Sequence, residues 1–313
     1  MTEVHVPVMR QRIVDVLAPA LQASGSVYVD ATLGLGGHAA AVLAACPQAR
    51  LIGIDRDPDA HALASERLRA EAQRCTFVVS ANDQLAACLE AMGITAVDAV
   101  LLDLGLSSLQ IDRTERGFAY RVDAPLDMRM NQQEGESAAD LLNRESVDEI
   151  ARILASYGEE RFARRIARAI VAARPISTTG QLVDILTSAI PAASQRTGGH
   201  PAKRTFQALR IAVNDELAIL QRTLDSAIDA LAVGGRIAVL SYHSLEDRIV
   251  KQTFGKLSRD SAPRGLPLVP QHLQPQLRLI TTGAERPTAE EIATNPRSAS
   301  ARLRVATRIR EAT

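Results

Sequence analysis

The sequence predicts an α/β protein in which a doubly wound, mostly parallel sheet is interrupted by a smaller helical insertion. Three observations carry that prediction. Short apolar runs alternate with helix-like segments from residue 27 to residue 103. The alternation then stops, and residues 111–201 read as a long loop followed by helices. It resumes at residues 236–241 (RIAVLS), and two more strand-like runs close the chain.

The elements follow in order. Residues 27–31 (VYVDA) are a strand, and the turn signal Thr32-Leu-Gly-Leu-Gly-Gly ends it. Residues 38–46 are small and apolar, a helix stopped by Pro47. A second strand (50–55, RLIGID), a helix (58–72) and a third strand (75–80, CTFVVS) come next. A helix over 82–92 has Asn82 as its expected N-cap, and 97–103 (VDAVLLD) is the fourth strand. Strands that are continuously apolar are buried on both faces, as in a parallel sheet.

In the insertion, residues 113–129 form a loop holding Phe118 and Tyr120, and a loop of that length is uncommon without a function. Ser146 and Glu149 make a capping box opening a helix over 147–157. An amphipathic helix over 159–173 carries Phe162, Ile166, Ala169, Ile170 and Ala173 as its apolar stripe. Another covers 178–190. Gly198-Gly199-His200-Pro201 marks a join before a helix over 202–231. Gly234-Gly235 turns the chain into the fifth strand, and Ser244-Leu-Glu-Asp247 starts the helix after it. Residues 277–281 and 301–309 are the closing strand pair, with a short helix capped at Thr288 between them. The domains expected are therefore 1–110 with 202–313 for the sheet, and 111–201 for the insertion.

Charge is distributed unevenly. The whole chain balances 36 Lys and Arg against 36 Asp and Glu. Residues 1–160 hold 24 acids and 13 bases; residues 161–313 hold 12 acids and 23 bases. Residues 161–210 contain nine bases and a single acid, Asp184. A merely solvated helix face usually mixes signs at i,i+4, so this excess points to phosphate contacts by Arg161, Arg164, Arg165, Arg168, Lys203 and Arg204. A hydrophobic content of 46% excludes a disordered chain. No apolar run is long enough to span a membrane, and the first residues, MTEVHVPVMRQR, lack the apolar core of a signal peptide. Cys46, Cys75 and Cys88 form no CxxC pair, so no zinc site or disulfide framework is expected and a cytoplasmic location fits.

Ligands of doubly wound sheets bind beyond the carboxyl ends of the strands. Those ends carry Asp30, Gly34, Gly36, Gly37 and His38, then Asp55, Asn82 and Asp103. The string Gly34-Leu-Gly36-Gly37-His38-Ala39 fits a dinucleotide pattern, with Asp55 suitably placed for a ribose. NAD and S-adenosylmethionine both use such features. Asp30, immediately before the glycine loop, favours a cationic ligand over a pyrophosphate. Asp103 followed by Leu104-Gly105-Leu106-Ser107-Ser108 also favours the methyl donor, because methyltransferases of this architecture place an acceptor loop there. A seven-stranded sheet ending in a hairpin is the class I, Rossmann-like methyltransferase arrangement.

The chain also resembles the 16S ribosomal RNA cytosine-N4 methyltransferases, the RsmH (MraW) family. The strings that carry the resemblance span nearly the whole chain: His5-Val-Pro-Val, Asp30-Ala-Thr-Leu-Gly-Leu-Gly-Gly-His38, Asp55-Arg-Asp-Pro58, Leu101-Leu-Asp-Leu-Gly-Leu-Ser-Ser108, Arg116-Gly-Phe118, Pro125-Leu-Asp-Met-Arg129, Tyr157-Gly-Glu-Glu-Arg-Phe-Ala163, Arg204-Thr-Phe-Gln207, Ser241-Tyr-His-Ser-Leu-Glu-Asp-Arg248 and Asn295-Pro-Arg-Ser298. The resemblance implies methylation of N4 of a cytidine in the decoding region of small-subunit rRNA. It implies contacts to S-adenosylmethionine from Gly36, Gly37, His38, Asp55, Asn82, Asp103 and Gln110. Asn82 stands where many members carry phenylalanine, and Leu109 where a proline is frequent.

Carbon-5 methylation of cytosine needs a cysteine nucleophile, whereas methylation of the exocyclic amine needs alignment and acceptors for the amine hydrogens. Asp103 and the Ser107/Ser108 loop, with Tyr242 and His243 opposite, are the residues expected to frame the cytosine, and Tyr242 or Phe118 to stack on it. The expected partner is small-subunit rRNA or the assembled subunit. The oligomeric state is left open, a homodimer among the options. The alternative from another class is a catalytically idle RNA-binding assembly factor on the same fold; the intact strand-end residues argue against it.

Overall fold

The computed structural model describes residues 6–105, 113–195, 200–263 and 270–311. They fall into two units, one joining Met1–Gly105 to Leu217–Thr313 and the other spanning Leu106–Glu216.

The first unit begins with helix α1 (Arg10–Leu17). The strands β1 (Val27–Asp30), β2 (Arg50–Asp55), β3 (Cys75–Val79) and β4 (Val97–Asp103) then alternate with α2 (Gly37–Ala45), α3 (Pro58–Arg67) and α4 (Leu85–Ala91). The third crossover differs from expectation at its start. Asn82 is not an N-cap: Asn82–Gln84 is a 3-10 turn after Ala81, with no side chain capping it, and α4 begins only at Leu85. The helix expected over 58–72 likewise ends at Arg67 and continues as 3-10 turns over Arg69–Arg74.

In the second unit come α5 (Ala138–Arg144), α6 (Val147–Gly158), α7 (Ala163–Ala172), α8 (Thr179–Ala189), the short α9 (Ala192–Gln195) and α10 (Ala202–Asn214). Polar side chains start three of them. Ser137 with Asp140, and Thr178 with Gln181, form reciprocal capping boxes; the Ser146 hydroxyl accepts from the Glu149 N–H. Helix α7 starts later than its periodicity predicts, because Glu159 takes a left-handed conformation (φ 49°) that ends α6. Its buried face is Ala163, Ile166, Ala167 and Ile170; Ala173, expected in the stripe, is exposed.

The single helix expected over 202–231 is two. Asp215 (φ 50°) separates α10 from α11 (Glu216–Ala230). Asn214 is buried at the break, donating to Met128 O and accepting from Met130 N–H, and so ties the helix end to the 125–130 segment. Ala202, Phe206, Ala208 and Leu209 are buried in the core of the helical unit. The chain therefore returns to the sheet unit at Leu217, and not at residue 202, where the Gly198-Gly199-His200-Pro201 join places the boundary.

The 113–129 loop is a strap of that same helical core. Phe118, Leu126 and Met128 are buried in it, and the Arg116 guanidinium donates to the carbonyls of Arg129 and Met130. Gly117 (φ 74°) has no room for a side chain, since a Cβ there would lie 2.3 Å from Pro125 O. Gly117→Ala is expected to cost about 1–3 kcal/mol from the backbone conformation alone, and more from the clash, read as a lower midpoint in chemical denaturation.

The chain re-enters the sheet at β5 (Leu231–Ser241), followed by α12 (Ser244–Leu257), β6 (Leu277–Leu279), α13 (Ala289–Thr294) and β7 (Arg302–Arg308). Seven strands lie in the order β3-β2-β1-β4-β5-β7-β6. The first five are parallel; β7 runs antiparallel to both β5 and β6. Alternate residues feed two cores. Tyr28, Leu101 and Leu240 pack with Ile13, Leu17 and Leu43 on one face. Val29, Val100, Leu102 and Val239 pack with Leu224, Val250 and Phe254 on the other. Burial on both faces is what a parallel sheet requires, and it places the ends of β1, β2 and β4 along one rim.

Candidate active site

Three aspartates end three adjacent strands of that rim. Asp30 ends β1 and is 1% exposed. It sits two residues from Tyr28 on the same face, and accepts from the Tyr28 hydroxyl (3.2 Å) and the Thr32 N–H (3.3 Å). Burial pushes its carboxyl up to about 7, against the pull of nearby His38. Tyr28, itself buried beside this carboxylate, is held well above the usual phenol range. Burial disfavours the charge on this aspartate despite its two hydrogen bonds, and a cation beside it is the partner that would hold it ionised.

Asp55 ends β2 and shapes the glycine loop. Its Oδ2 accepts from Gly34 N–H (2.8 Å) and its Oδ1 from Asp57 N–H (2.9 Å). A carboxylate has about four acceptor positions, so both oxygens can still receive ribose hydroxyls. Burial also raises Asp55 from the ordinary carboxylate range. The loop lies tight against its surroundings. Gly36 (φ 69°) faces Ala64, and a Cβ on Gly37 would come within 2.5 Å of Pro7. Leu33 fills the space over Gly53, where a Cβ would meet its side chain at 2.8 Å.

Asp103 ends β4 and gathers the remaining groups. Its Oδ1 accepts from the Tyr242 hydroxyl (2.7 Å), and its backbone N–H donates to Thr32 Oγ1 (2.6 Å). His38 Nε2 lies 3.3 Å from Asp103 Oδ2. That is ion-pair distance, and both buried ring nitrogens of His38 lack a hydrogen-bonding partner among the described residues. Buried polar atoms are rarely left so unless a ligand satisfies them. Tyr242 is pushed well above the usual phenol range by burial and by Asp103, so it serves as a donor. Gly105 (φ 97°) lets the chain pass the Tyr242 ring, which a Cβ would approach at 3.2 Å.

These positions fit S-adenosylmethionine. Asp30 offers an anion where a cationic end would lie, and Asp55 offers free acceptor positions suited to a ribose. His38 supplies orphaned ring nitrogens within the loop. A pyrophosphate would instead face the buried Asp30. The sequence singles out neither Tyr28 nor Thr32. The period-two spacing of Tyr28 and Asp30 was the available signal for the first, and the Asp30-Ala-Thr string for the second.

Other expected residues fall differently. His243 is the N-cap of α12: its Nδ1 accepts from Glu246 N–H (3.4 Å), while Glu246 accepts from the backbone N–H groups of Tyr242 and His243. Its Nε2 is buried 3.1 Å from Glu246 Oε1, with no hydrogen-bonding partner among the described residues. Phe118, buried in the helical core, is not available to stack on a base. Asn82 is half-buried after β3. Ser107, Ser108, Leu109, Gln110 and Arg196 lie outside the described residues.

The basic residues also sort into two kinds. In the sheet unit, Arg302 and Arg304 pair with Asp247 at 3.2 and 2.7 Å. Arg308 donates to the carbonyls of Ile228, Asp229 and Leu231, and Arg310 to those of His272 and Gln274. These arginines tie the last strand into the fold. Within the helical unit, Arg174 binds the carbonyls of Leu142 and Glu145, and Arg210 pairs with Glu216 at 2.8 Å. Arg161, Arg164, Arg165, Arg168, Lys203 and Arg204 are all exposed; of these six, only Arg164 is ion-paired among the described residues, to Asp148.

The sheet order, the antiparallel β7 between β5 and β6, the glycine loop and the strand-end carboxylates together define a class I S-adenosylmethionine-dependent methyltransferase. The family can be stated too: the model of the MraW methylase family matches residues 2–309, and the chain belongs to that family. Similar proteins bear the name Ribosomal RNA small subunit methyltransferase H. That of Streptomyces avermitilis is 56% identical over 310 residues, covering 98% of each chain. That of Nocardioides sp. is 58% identical over 303 residues, covering 96% of this chain and 95% of its own. That of Thermobifida fusca is 56% identical over 310 residues, covering 98% and 94%.

Proposed function

We propose that this protein transfers a methyl group from S-adenosylmethionine to the exocyclic N4 amine of a cytidine in the decoding region of 16S rRNA. The observation that carries the reading is the Asp103–Tyr242–His38 cluster beside the glycine loop, in a chain whose relatives are named as small-subunit rRNA methyltransferases. S-adenosylmethionine supplies a methyl group on a sulfonium. The C–S bond breaks as the N–C bond forms, and one amine proton leaves. Asp103, held by Tyr242 and by the Thr32 hydroxyl, is the acceptor for an amine hydrogen, and Ser107, four residues further along the sequence, is proposed to assist it. His38, Gly34, Gly36, Gly37, Asp30, Asp55, Asn82 and Gln110 are the residues proposed to hold the cofactor.

The cysteines support an amine acceptor over ring carbon-5. Cys46 is buried after the C-terminal end of α2, Cys75 opens β3, and Cys88 lies within α4. Because β3 is parallel to β1 and β2, its first residue is at the opposite end of the sheet from the rim. Burial also pushes the Cys46 and Cys75 thiols up, away from a reactive thiolate.

The helical unit is proposed to dock the rRNA, as naked RNA or within an assembled subunit, through its exposed bases. Among the described residues no helix is long and apolar enough to cross a membrane, and a cytoplasmic site of action fits the proposed substrate. Changing Arg161, Arg165 and Arg168 to Glu is expected to weaken rRNA-fragment binding and flatten its dependence on salt. Changing Arg302 and Arg304 to Gln is expected to lower the melting temperature and leave the salt slope unchanged. Filter binding across a salt series and thermal melts separate the two.

The reading is tested by incubating the purified protein with methyl-labelled S-adenosylmethionine and small subunits. Label in 16S rRNA supports it. Cofactor binding without transfer to either rRNA or subunits would favour the idle assembly factor.

A further inference from the structure

We infer that His200, stacked on Tyr120 and flanked by Lys203 and Arg204, is a platform on which one unpaired base of the RNA substrate stacks. The inference rests on the rRNA reading above and adds a recognition site to it.

The rings form a ladder that opens from core to solvent. Phe206 is buried at 4% exposure and meets the half-buried Tyr120 edge-on, with centroids 5.7 Å apart and planes at 78°. Tyr120 in turn stacks on the exposed His200, with centroids 4.4 Å apart and planes at 25°. One face of the imidazole is thus covered and the other is turned away from the protein's own aromatic stack. The ring is also fixed in orientation. His200 Nδ1 accepts from the Ala202 N–H (3.2 Å), and His200 O accepts from the Lys203 N–H (3.0 Å). A flat ring held rigid by packing and hydrogen bonds loses little freedom when a second flat ring settles on it.

Charge identifies the occupant. Lys203 and Arg204 lie three and four residues on, one turn along, and both side chains are exposed. The backbone of Arg204 packs against Gly158, where a Cβ would meet Arg204 O at 2.6 Å, so α10 crosses closely at the end of α6 that leads to Arg161. A flat surface with cations beside it is how proteins hold single-stranded nucleic acid, by stacking the base and neutralising its phosphate. A base-paired helix would present only its phosphates here, because its bases are already stacked. Only nine residues of the chain are Phe or Tyr, and two of them support this one histidine.

The test measures affinity for a short single-stranded RNA by fluorescence anisotropy, with an abasic version of the same strand as the second probe. His200→Ala is expected to weaken binding of the intact strand roughly 5- to 100-fold. It should leave the salt slope as it is and bind the abasic strand like the unaltered protein. His200→Trp is expected to restore or exceed the original affinity. Lys203→Gln with Arg204→Gln should weaken both strands and flatten the slope. Circular dichroism and S-adenosylmethionine affinity of each variant establish that it is folded. Unaltered affinity in a folded His200→Ala protein, an equal loss on the abasic strand, or no rescue by tryptophan would overturn the platform. If the unaltered protein methylates 16S rRNA while His200→Ala shows no binding defect, the platform alone fails. If the unaltered protein labels no rRNA, the functional reading fails.

Discussion

Replacing Asp103 with alanine is expected to lower the methyl-transfer rate by about 10²–10³-fold, while the protein stays folded. Asp103 is the point where three contacts converge: the Tyr242 hydroxyl at 2.7 Å, His38 Nε2 at 3.3 Å and, through its backbone, Thr32 Oγ1. The backbone contact survives the substitution, so β4 keeps its place in the sheet. The acceptor is lost, and Tyr242 is left with a buried hydroxyl and no carboxylate. Tyr242→Phe separates positioning from acceptance. It removes one hydrogen bond and leaves the carboxylate, so the rate is expected to fall about tenfold, with kcat affected more than the KM for S-adenosylmethionine. Single-turnover transfer to small subunits measures both. A full rate for Asp103→Ala would remove this aspartate from the chemistry.

Replacing Asp30 with asparagine is expected to act in opposite directions on stability and on cofactor affinity. In the folded, ligand-free protein burial raises this carboxyl to about 7; in the unfolded chain its pKa is about 4. Between those values the native state binds more protons, so stability falls as pH rises from about 4 to about 7, and the full cost is present at pH 8. Asparagine removes that cost: its one oxygen can accept from the Thr32 N–H, and its amide N–H can donate to the Tyr28 hydroxyl oxygen. At pH 8 the variant is expected to be more stable by roughly 1–3 kcal/mol, with the gain vanishing below about pH 4.

For the cofactor the sign reverses. A cation beside the ionised carboxylate is attracted, so affinity for S-adenosylmethionine should drop as pH falls from 8 to 6, and binding near pH 7 should release a proton. The asparagine variant should bind roughly 10- to 100-fold more weakly at pH 8 and lose that part of the pH dependence. Calorimetry in buffers of different ionisation enthalpy reads both quantities, and the variant also controls for titration of the ligand's own amine. Equal affinity and equal proton release in the two proteins would place the cation elsewhere.

The sheet was legible because its strands are buried on both faces. Residues 97–103 and 236–241 read as unbroken apolar runs, and Val100, Leu101, Leu102, Val239 and Leu240 are indeed sealed between two layers. The rim was legible because strand ends and a glycine loop are local features. What could not be read were relationships between distant segments. Arg302 and Arg304 add to the basic excess of the second half of the chain, and only the fold places Asp247, far away in sequence, opposite them. Helix α10 looks like the start of the returning sheet domain until its apolar face meets the core built by α6 and α7. That the His243 ring caps the helix after it, through the Glu246 N–H, was likewise not visible from its place on the rim. Asp30 shows a different limit. Its place was visible, but its burial, and hence its displaced ionisation, depends on the sheet closing over it.

The charge asymmetry is also sharpened by these contacts. The C-terminal arginines serve the fold, so the bases exposed to a polyanion are concentrated on α7 and α10 and the segment leading into α7. Near-neutrality of the whole chain is then compatible with one strongly basic surface, whose RNA affinity should fall steeply with added salt.

The most direct test of the central claim is nucleoside mass spectrometry of 16S rRNA from cells lacking this protein, with the unaltered protein or its Asp103→Ala form returned. The account predicts that N4-methylation of a decoding-region cytidine disappears, returns with the unaltered protein, and stays absent with Asp103→Ala. An unchanged N4-methylcytidine signal in the deleted strain, or loss of 5-methylcytidine in its place, would contradict it.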